Sequence, residues 1–371
     1  MTGAGLGAPS KRKLFASCAC CEGSPVRNSV PLDRRSFFCG GLAALGLAAA
    51  PETMGAPAAK AQTARTRIDV HHHFVPPFHA DVMATRRSGG RPPKWTAQMS
   101  LEDMDKSGIA TAIVSLVQPA TWFADDVPLS RKLGRECNEY AAKMIQDHPG
   151  RFGQFATISP PDTEGSLKEI EYSFDVLNAD GIGLMTSYGD KWLGDPAFAP
   201  VLAELNRRKA VIYVHPSSPL CCTSLMSYVP PFFSEFQQDT TRTILSLIFS
   251  GAISRLPDIR FIFSHAGGTL PMVAGRIEHY STLPAFKDKV PNGFDYELKR
   301  LYYEIANSAY KPAMAAITNM VPTSQVMFGT DFPLVAIDDT ANGLRSLGLP
   351  GADLQAIARD NALGLFPRLK A

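Results

Sequence analysis

Short apolar runs alternate with longer segments of helical periodicity from residue 65 to the end of the chain. Eight of the runs are rich in β-branched and aromatic residues, which is typical of buried strands: 68–74, 110–117, 152–159, 181–186, 210–217, 260–267, 301–307 and 326–333. Amphipathic stretches between them predict helices over 130–147, 166–177, 198–208 and 241–256. Asp195 and Pro196 are a start signal for the third helix, because aspartate caps a helix and proline fits its first turn.

This regular alternation predicts an α/β fold built on a parallel sheet. Eight strand–helix units over about 300 residues favour one (β/α)8 TIM-like barrel, covering residues 62–371. A doubly wound sheet is the alternative, but it usually has a glycine-rich phosphate loop after its first strand. Here the first strand runs into His73 and residues 74–77, which contain no glycine. We expect long loops over the barrel mouth at 75–99 and 218–240.

Residues 1–61 have the pattern of an export signal rather than of a folded domain. Arg34 and Arg35 form a twin-arginine pair, an apolar run follows over 37–50, and 59–61 match the small–x–small pattern of a cleavage site. The apolar run is too short to anchor the protein comfortably in a bilayer. We expect cleavage after Ala61, export by the twin-arginine route to the periplasm or beyond, and no stable membrane insertion afterwards. The alternative is a disordered tail with a chance arginine pair.

Composition and charge restrict the classes of partner. The chain is 45% hydrophobic and 19% charged, as in ordinary globular proteins. Without residues 1–61 it holds 30 Lys/Arg and 32 Asp/Glu, and it has no basic run that predicts a nucleic-acid partner. Three of the seven cysteines lie beyond the signal, without the spacing of a metal site. Cys137 has the helical spacing of a core residue.

Polar residues end four of the predicted strands, where a barrel places its catalytic groups. His71 and His73 lie on one face of the first strand and His72 lies on the other. His215 ends the fifth strand, His265 ends the sixth and Asp331 ends the eighth. Any one of them would be read as a satisfied core residue, but together they converge on one site. Each follows an apolar run, so burial is costly unless the group is paired or ligated.

Three imidazoles and one carboxylate make a suitable ligand set for one metal ion: His71, His73, His215 and Asp331. The mixture suits zinc, which we expect, and also manganese or iron. His265 is the predicted acid/base group for a metal-bound water or for the substrate. Residues 181–187 contain no lysine to bridge a second metal, so we expect a mononuclear site.

The chain resembles the amidohydrolase superfamily and, within it, the metal-dependent non-oxidative decarboxylases. That branch includes the enzymes acting on aminocarboxymuconate semialdehyde, γ-resorcylate and 6-methylsalicylate. The similarity covers about residues 66–368 and is carried by eight segments: 69–73, 148–152, 193–196, 214–216, 239–242, 263–268, 329–333 and 360–362.

The resemblance adds expectations about the substrate and the assembly. Arg276 matches an arginine that binds a substrate carboxylate across a dimer, which implies a homodimer. A second such arginine is missing, because residues 98–101 read Gln-Met-Ser-Leu. This difference favours a small salicylate-type acid over the aminocarboxymuconate substrate. Four aromatic residues are candidates for walls of a ring pocket, although each also fits core packing: Phe74, Trp122, Phe236 and Phe332.

These features predict a carbon–carbon lyase that removes carbon dioxide from a small aromatic or related unsaturated carboxylic acid. A metal can stabilise the negative charge left on the ring, and His265 or Asp331 can supply the proton to the ring carbon. A hydrolase of a lactone, ester or amide is the alternative on the same ligand set. A metal-bearing binding protein without activity is a third possibility.

Overall fold

Eight parallel strands form the centre of the fold and curl into a nearly closed barrel. The structure is a computed structural model and describes residues 65–86, 92–222 and 228–370, so the signal predicted at 1–61 lies outside the described residues. The sheet order is β1-β2-β3-β4-β7-β8-β9-β10, while β5 and β6 form a separate two-stranded antiparallel sheet. The strands are β1 Arg67–Phe74, β2 Ile109–Leu116, β3 Phe152–Thr157, β4 Gly181–Met185, β5 Ser187–Tyr188, β6 Lys191–Trp192, β7 Val211–His215, β8 Arg260–Phe263, β9 Tyr302–Glu304 and β10 Val326–Met327.

Helices follow the barrel strands and cover the outside of the sheet. In the described part of the chain the α-helices are α1 Pro77–Arg86, α2 Ala97–Ser107, α3 Val127–Asp147, α4 Thr163–Asp175, α5 Ala199–Arg207, α6 Glu235–Phe249, α7 Ala252–Arg255, α8 Leu270–Ser281, α9 Pro284–Lys287, α10 Phe294–Leu298, α11 Lys311–Met320, α12 Ile337–Ser346, α13 Gly351–Gln355 and α14 Asn361–Leu365. Among the described helices, none has the length and apolar character needed to cross a membrane.

The ends of the sheet meet where β1 lies beside the segment that follows β10. The amide of Val70 donates to the carbonyl of Phe328 at 3.0 Å, and the amide of His73 donates to the carbonyl of Phe332 at 2.7 Å. An isolated parallel bridge joins His72 to Phe332. The first and last strands of the predicted barrel are thereby brought side by side, and their polar ends share one mouth.

The predicted barrel is confirmed, and the eight strands lie in the order in which the sequence places them. The third predicted helix begins as expected, with Asp195 accepting a hydrogen bond from the amide of Ala197 at 2.8 Å. The stretch 75–99 was expected to be one long loop, but it contains α1 and the first turn of α2. Thr96 caps α2 by accepting from the amide of Met99 at 3.2 Å. The prediction failed because the proline- and glycine-rich composition obscures two short helices.

Two apolar cores hold the barrel together. The larger lies between the sheet and the surrounding helices, and Cys137 is buried within it as predicted. The smaller fills the barrel interior at the starts of the strands, with Phe155 and Tyr213 stacked at 5.1 Å between ring centroids. Phe366, after α14, packs edge-on against Phe155 at 5.8 Å. The barrel end opposite the histidines is therefore filled with apolar side chains.

Gly194 offers a test of the packing between the β6 loop and α6. A Cβ at this position would lie 2.1 Å from the carbonyl oxygen of Ser246, a backbone atom that cannot turn away. We expect Gly194→Ala to lower the free energy of unfolding by about 2 kcal/mol or more, as in other overpacked cores. Gly275→Ala is the matched control, because nothing lies within 4 Å of a Cβ there. Equal urea midpoints for the two variants would contradict the packing described.

Candidate metal centre

A local irregularity in β1 gives its histidines two different surroundings. The parallel register with β2 shifts between Asp69 and His72. Outside the barrel, His72 Nδ1 lies 3.0 Å from Asp69 Oδ2, and its Nε2 lies 2.8 Å from Ser100 Oγ. The rings of His71 and His73 instead meet edge-on, with centroids 4.8 Å apart. The two faces of β1 therefore carry different polar groups, in agreement with the predicted alternation.

The four predicted ligand residues lie together in the barrel mouth. They are buried, and each offers one ligand atom within 4.8 Å of the others: His71, His73, His215 and Asp331. The Nε2 atoms of His71 and His73 are 3.0 Å apart. Asp331 Oδ1 lies 3.2 Å from the first of these atoms and 3.1 Å from the second. The ends of β1, β7 and β10 thus place their polar groups around one point.

The other nitrogen of each ring fixes how the histidine faces this point. His71 Nδ1 lies 2.8 Å from Glu304 Oε1, and His215 Nδ1 lies 2.8 Å from the carbonyl oxygen of Pro216. His73 Nδ1 faces the carbonyl oxygen of Ser115 at 3.3 Å. All three Nδ1 atoms face acceptors, so a ring that binds a metal ion keeps its proton on Nδ1 and offers the lone pair of Nε2.

Lone pairs with no proton between them repel one another unless a cation lies among them. Asp331 Oδ1 is buried without a hydrogen-bond partner, although two Nε2 atoms are close to it. Histidine nitrogens with an oxygen are a donor set that suits zinc, manganese or iron. The arrangement therefore fits one divalent metal ion, and the Nδ1 partners are of the kind that orient metal-bound imidazoles.

The electrostatics of the cluster favour a positive charge at this point. Burial by itself lowers the pKa of His71, but the carboxylates of Glu304 and Asp331 raise that pKa to about 10, so without a metal ion a second proton on this ring supplies the positive charge. Burial raises the pKa of Asp331, but the neighbouring imidazoles, first of all that of His71, pull it well below its usual range. Burial also lowers the pKa of His73 and of His215, which keeps these two rings neutral and able to ligate.

His265 lies beside the cluster and is free of hydrogen bonds through its side chain. Both ring nitrogens are buried without a partner, and Nε2 is 3.5 Å from Asp331 Oδ2. The backbone of His265 is left-handed, with φ 53°, and so is that of Asp331, with φ 67°. Such conformations cost non-glycine residues about 1 kcal/mol or more each, and they recur at functional sites. The local strain aims both side chains at the same point.

A cavity of about 770 Å³ opens from the cluster to the protein surface. Its floor includes His215, His265 and Asp331, and its walls are mainly apolar and aromatic. Phe236 lines it as the sequence predicts, with its ring centroid 6.3 Å from that of His215. Phe232 and Phe233, from the segment 218–240 expected over the barrel mouth, extend the apolar wall. Tyr310, Leu334 and Val335 complete it, and sequence reasoning did not single these three out.

The other predicted substrate contacts lie outside this cavity. Phe74 is 1% exposed and packs in the outer core near Trp95, and Phe332 stacks on His72 with centroids 4.9 Å apart. Phe74 follows the inward-pointing His73 by one residue, so strand alternation turns it outward. Phe332 forms a bridge with His72 and lies on that side of β1. Trp122 lines a neighbouring hollow of about 280 Å³, which shares Gln118 with the cavity. None of these three aromatics is among the described residues that line the cavity.

Arg276 lies on α8 away from the cavity of its own chain. Its side chain is exposed, and the guanidinium carbon is 5.2 Å from the ring centroid of Tyr280. Within one chain the structure does not bring Arg276 to the candidate site. A role at the site therefore needs a second copy of the chain.

Sequence reasoning missed Glu304, which ends β9. Its side chain is fully buried. Besides its contact with His71, the carboxylate accepts hydrogen bonds from the backbone amide of His265 at 2.9 Å and from that of Ala306 at 2.6 Å. Gly329 leaves room for it, because a Cβ there would lie 2.1 Å from Glu304 Oε2. The available signal was a charged residue inside an apolar strand, where burial is costly without partners.

We expect Glu304→Gln to weaken metal binding by about 10- to 100-fold, the usual effect of losing a carboxylate partner of a ligating histidine. The neutral amide keeps the volume but removes the charge that orients His71. Chelator competition measures the effect. Glu297→Gln is the control, since Glu297 is equally buried but bonds to Ser254 and Arg300. Equal metal affinity in the Glu304 variant and wild type would contradict this role.

Comparisons with known proteins identify the family of this chain. The amidohydrolase family model matches residues 68–368. The decarboxylase yanB of Aspergillus niger is 37% identical over 326 residues, covering 82% of this chain and 88% of its own. The 6-methylsalicylic acid decarboxylase of Penicillium expansum is 34% identical over 319 residues, covering 82% of this chain and 97% of its own.

A solved structure shares the fold at lower sequence identity. The 5-carboxyvanillate decarboxylase of Novosphingobium aromaticivorans, solved with manganese and a nitrobenzoic acid, superimposes with a TM-score of 0.75 at 20% identity. The match covers 82% of this chain and 99% of that one. The chain belongs to the amidohydrolase family and, within it, to the branch of the metal-dependent decarboxylases.

Proposed function

We propose that the protein is a metal-dependent, non-oxidative decarboxylase of a small aromatic acid of the salicylate type, or of a related unsaturated acid. One observation carries the proposal: three histidines and an aspartate surround one point at the floor of an apolar cavity. The 34% identity to a 6-methylsalicylic acid decarboxylase, over nearly that enzyme's whole length, supports this activity over hydrolysis.

The residues of the site suit the separate steps of decarboxylation. When bound, a divalent metal supplies a Lewis acid that stabilises charge on the substrate oxygens. Phe236 and its apolar neighbours hold the ring and exclude water, which strengthens electrostatic interactions inside the cavity. As carbon dioxide leaves, the ring carbon gains an electron pair and must be protonated. His265, with both ring nitrogens free of partners, is placed to deliver that proton, and Asp331 lies beside it.

Recognition of the substrate carboxylate supports a homodimer. Among the described residues that line the cavity, none is a lysine or an arginine. The metal can bind one substrate oxygen, but a second cation would fix the orientation of the carboxylate. We propose that Arg276 of a second copy provides it. Mixing Arg276→Ala and His215→Ala chains should restore part of the activity that each lacks alone, and no recovery in mixed dimers would exclude this arrangement.

The resident metal is proposed to be zinc, with manganese as the main alternative. The histidine-rich donor set supports zinc. Loading the metal-free protein with each ion and comparing turnover tests the choice, and higher turnover with manganese would reverse it.

Export by the twin-arginine route is also proposed, on the pattern of residues 33–61. Retention in the cytoplasm with an intact N-terminus would exclude export.

Carbon dioxide release is the decisive measurement for the activity. The protein without residues 1–61 is loaded with zinc or manganese and offered a panel of hydroxybenzoic acids, including salicylate and 6-methylsalicylate. Metal-dependent release from at least one acid is the expected result. The absence of release from all of them, together with turnover of a lactone or an ester, would overturn the proposal in favour of a hydrolase.

A further inference from the structure

The barrel strand β9 brings a second polar residue to the site besides Glu304. Asn307 follows the strand by three residues, faces the cavity, and donates from Nδ2 to Asp331 Oδ2 at 2.7 Å. The same oxygen lies 3.5 Å from His265 Nε2. Asn307 therefore contacts the oxygen of Asp331 that points away from the other ligand residues.

The two oxygens of Asp331 have different surroundings. Oδ1 lies among the Nε2 atoms of His71 and His73, whereas Oδ2 is held by the amide of Asn307. The last torsion of an aspartate side chain is soft, so the carboxylate turns readily unless a partner holds it. Carboxylates bind metals through one oxygen or through both. A catalytic metal must keep one position open for water or substrate.

We propose that Asn307 is a positioning residue that restrains Asp331 to offer one oxygen to the metal. By holding Oδ2, its amide keeps the second carboxylate oxygen from taking the position that the substrate needs. The consequence for turnover rests on the proposed decarboxylase function, but the restraint on Asp331 does not.

The backbone at Asn307 determines which substitutions can test this role. Its φ is 52°, in the left-handed region that asparagine and glycine accept more readily than other residues. Asn307→Gly thus removes the amide and keeps the backbone conformation. Asn178 is a matched control, because it has φ 54° and its side chain bonds only weakly, to the carbonyl of Val176 at 3.4 Å.

The first readout needs no substrate. Cobalt(II) is loaded into wild type, Asn307→Gly and Asn178→Gly, and the visible absorption is recorded with the metal content. The visible absorption of cobalt(II) weakens as the ion gains a ligand, so we expect a weaker band in Asn307→Gly at full metal content. Its affinity for the metal, measured by chelator competition, should equal that of wild type or be tighter. The Asn178 variant should match wild type. An unchanged band, or loss of the metal from a folded Asn307 variant, would overturn the proposal.

The second readout is kinetic and uses an acid that wild type decarboxylates. Losing a hydrogen bond to a charged group usually changes an equilibrium by about tenfold or more, so KM should rise by that factor while kcat falls less. An unchanged KM would contradict the proposal. If wild type decarboxylates no acid, the function fails while the cobalt spectra still decide the role of Asn307. Should Asn307→Gly not fold, Asn307→Ser replaces it, because the serine hydroxyl is too short to reach Oδ2.

Discussion

Replacing His215 with alanine will cost the protein its tightly bound divalent metal and reduce decarboxylation to background. His215 is the one predicted ligand contributed by β7, and its ring meets that of His73 with centroids 4.8 Å apart. Losing a partner of a ligand already weakens binding by about 10- to 100-fold, so losing a ligand itself should exceed ~100-fold. Elemental analysis after dialysis against a chelator measures the effect, and Asp331→Ala should behave alike.

The control for this prediction is His279→Ala. His279 is exposed on α8 and contacts the ring of Tyr280 rather than the cluster. That variant should keep its metal and its turnover. If His215→Ala and Asp331→Ala retained full metal content through dialysis, the ligand assignment would be wrong.

Replacing His265 with asparagine will leave the metal in place and lower kcat by about 10²- to 10⁴-fold, the usual contribution of a positioned acid or base. The imidazole lines the cavity floor with both nitrogens free of partners, whereas its backbone amide already donates to Glu304. Asparagine keeps a polar side chain and tolerates φ 53°, so the local backbone should survive. Single-turnover release of carbon dioxide, with metal content measured in parallel, is the test.

The proton-transfer step can be separated from binding in the same experiment. If His265 handles the proton, KM should change little while kcat falls, because the interaction is made in the transition state. His279→Asn is again the exposed control. Unchanged turnover in a metal-loaded His265→Asn protein would remove His265 from the mechanism and leave Asp331 as the proton donor.

Two of the aromatic residues that the sequence suggested as walls of the ring pocket do not line the cavity. Phe74 follows His73 and Phe332 follows Asp331, and proximity in sequence suggested proximity in space. One residue along β1 reverses the side chain, so Phe74 faces away from His73. Phe332 forms a bridge with His72 and stacks on its ring, away from the ligand residues. Phe236 does line the cavity, because it lies in the first turn of α6 at the cavity wall.

The sequence by itself determined the barrel, the order of its strands and the group of polar residues at the strand ends. These follow from local patterns, because apolar periodicity and turn signals depend on neighbouring residues. It could not identify Glu304 and Asn307 as partners of the ligands. Their contacts join His71 to a residue 233 positions away, and Asp331 to one 24 positions away. Only barrel closure and strand register bring such groups within hydrogen-bond distance, so the tertiary structure alone decided how the ligand residues are held.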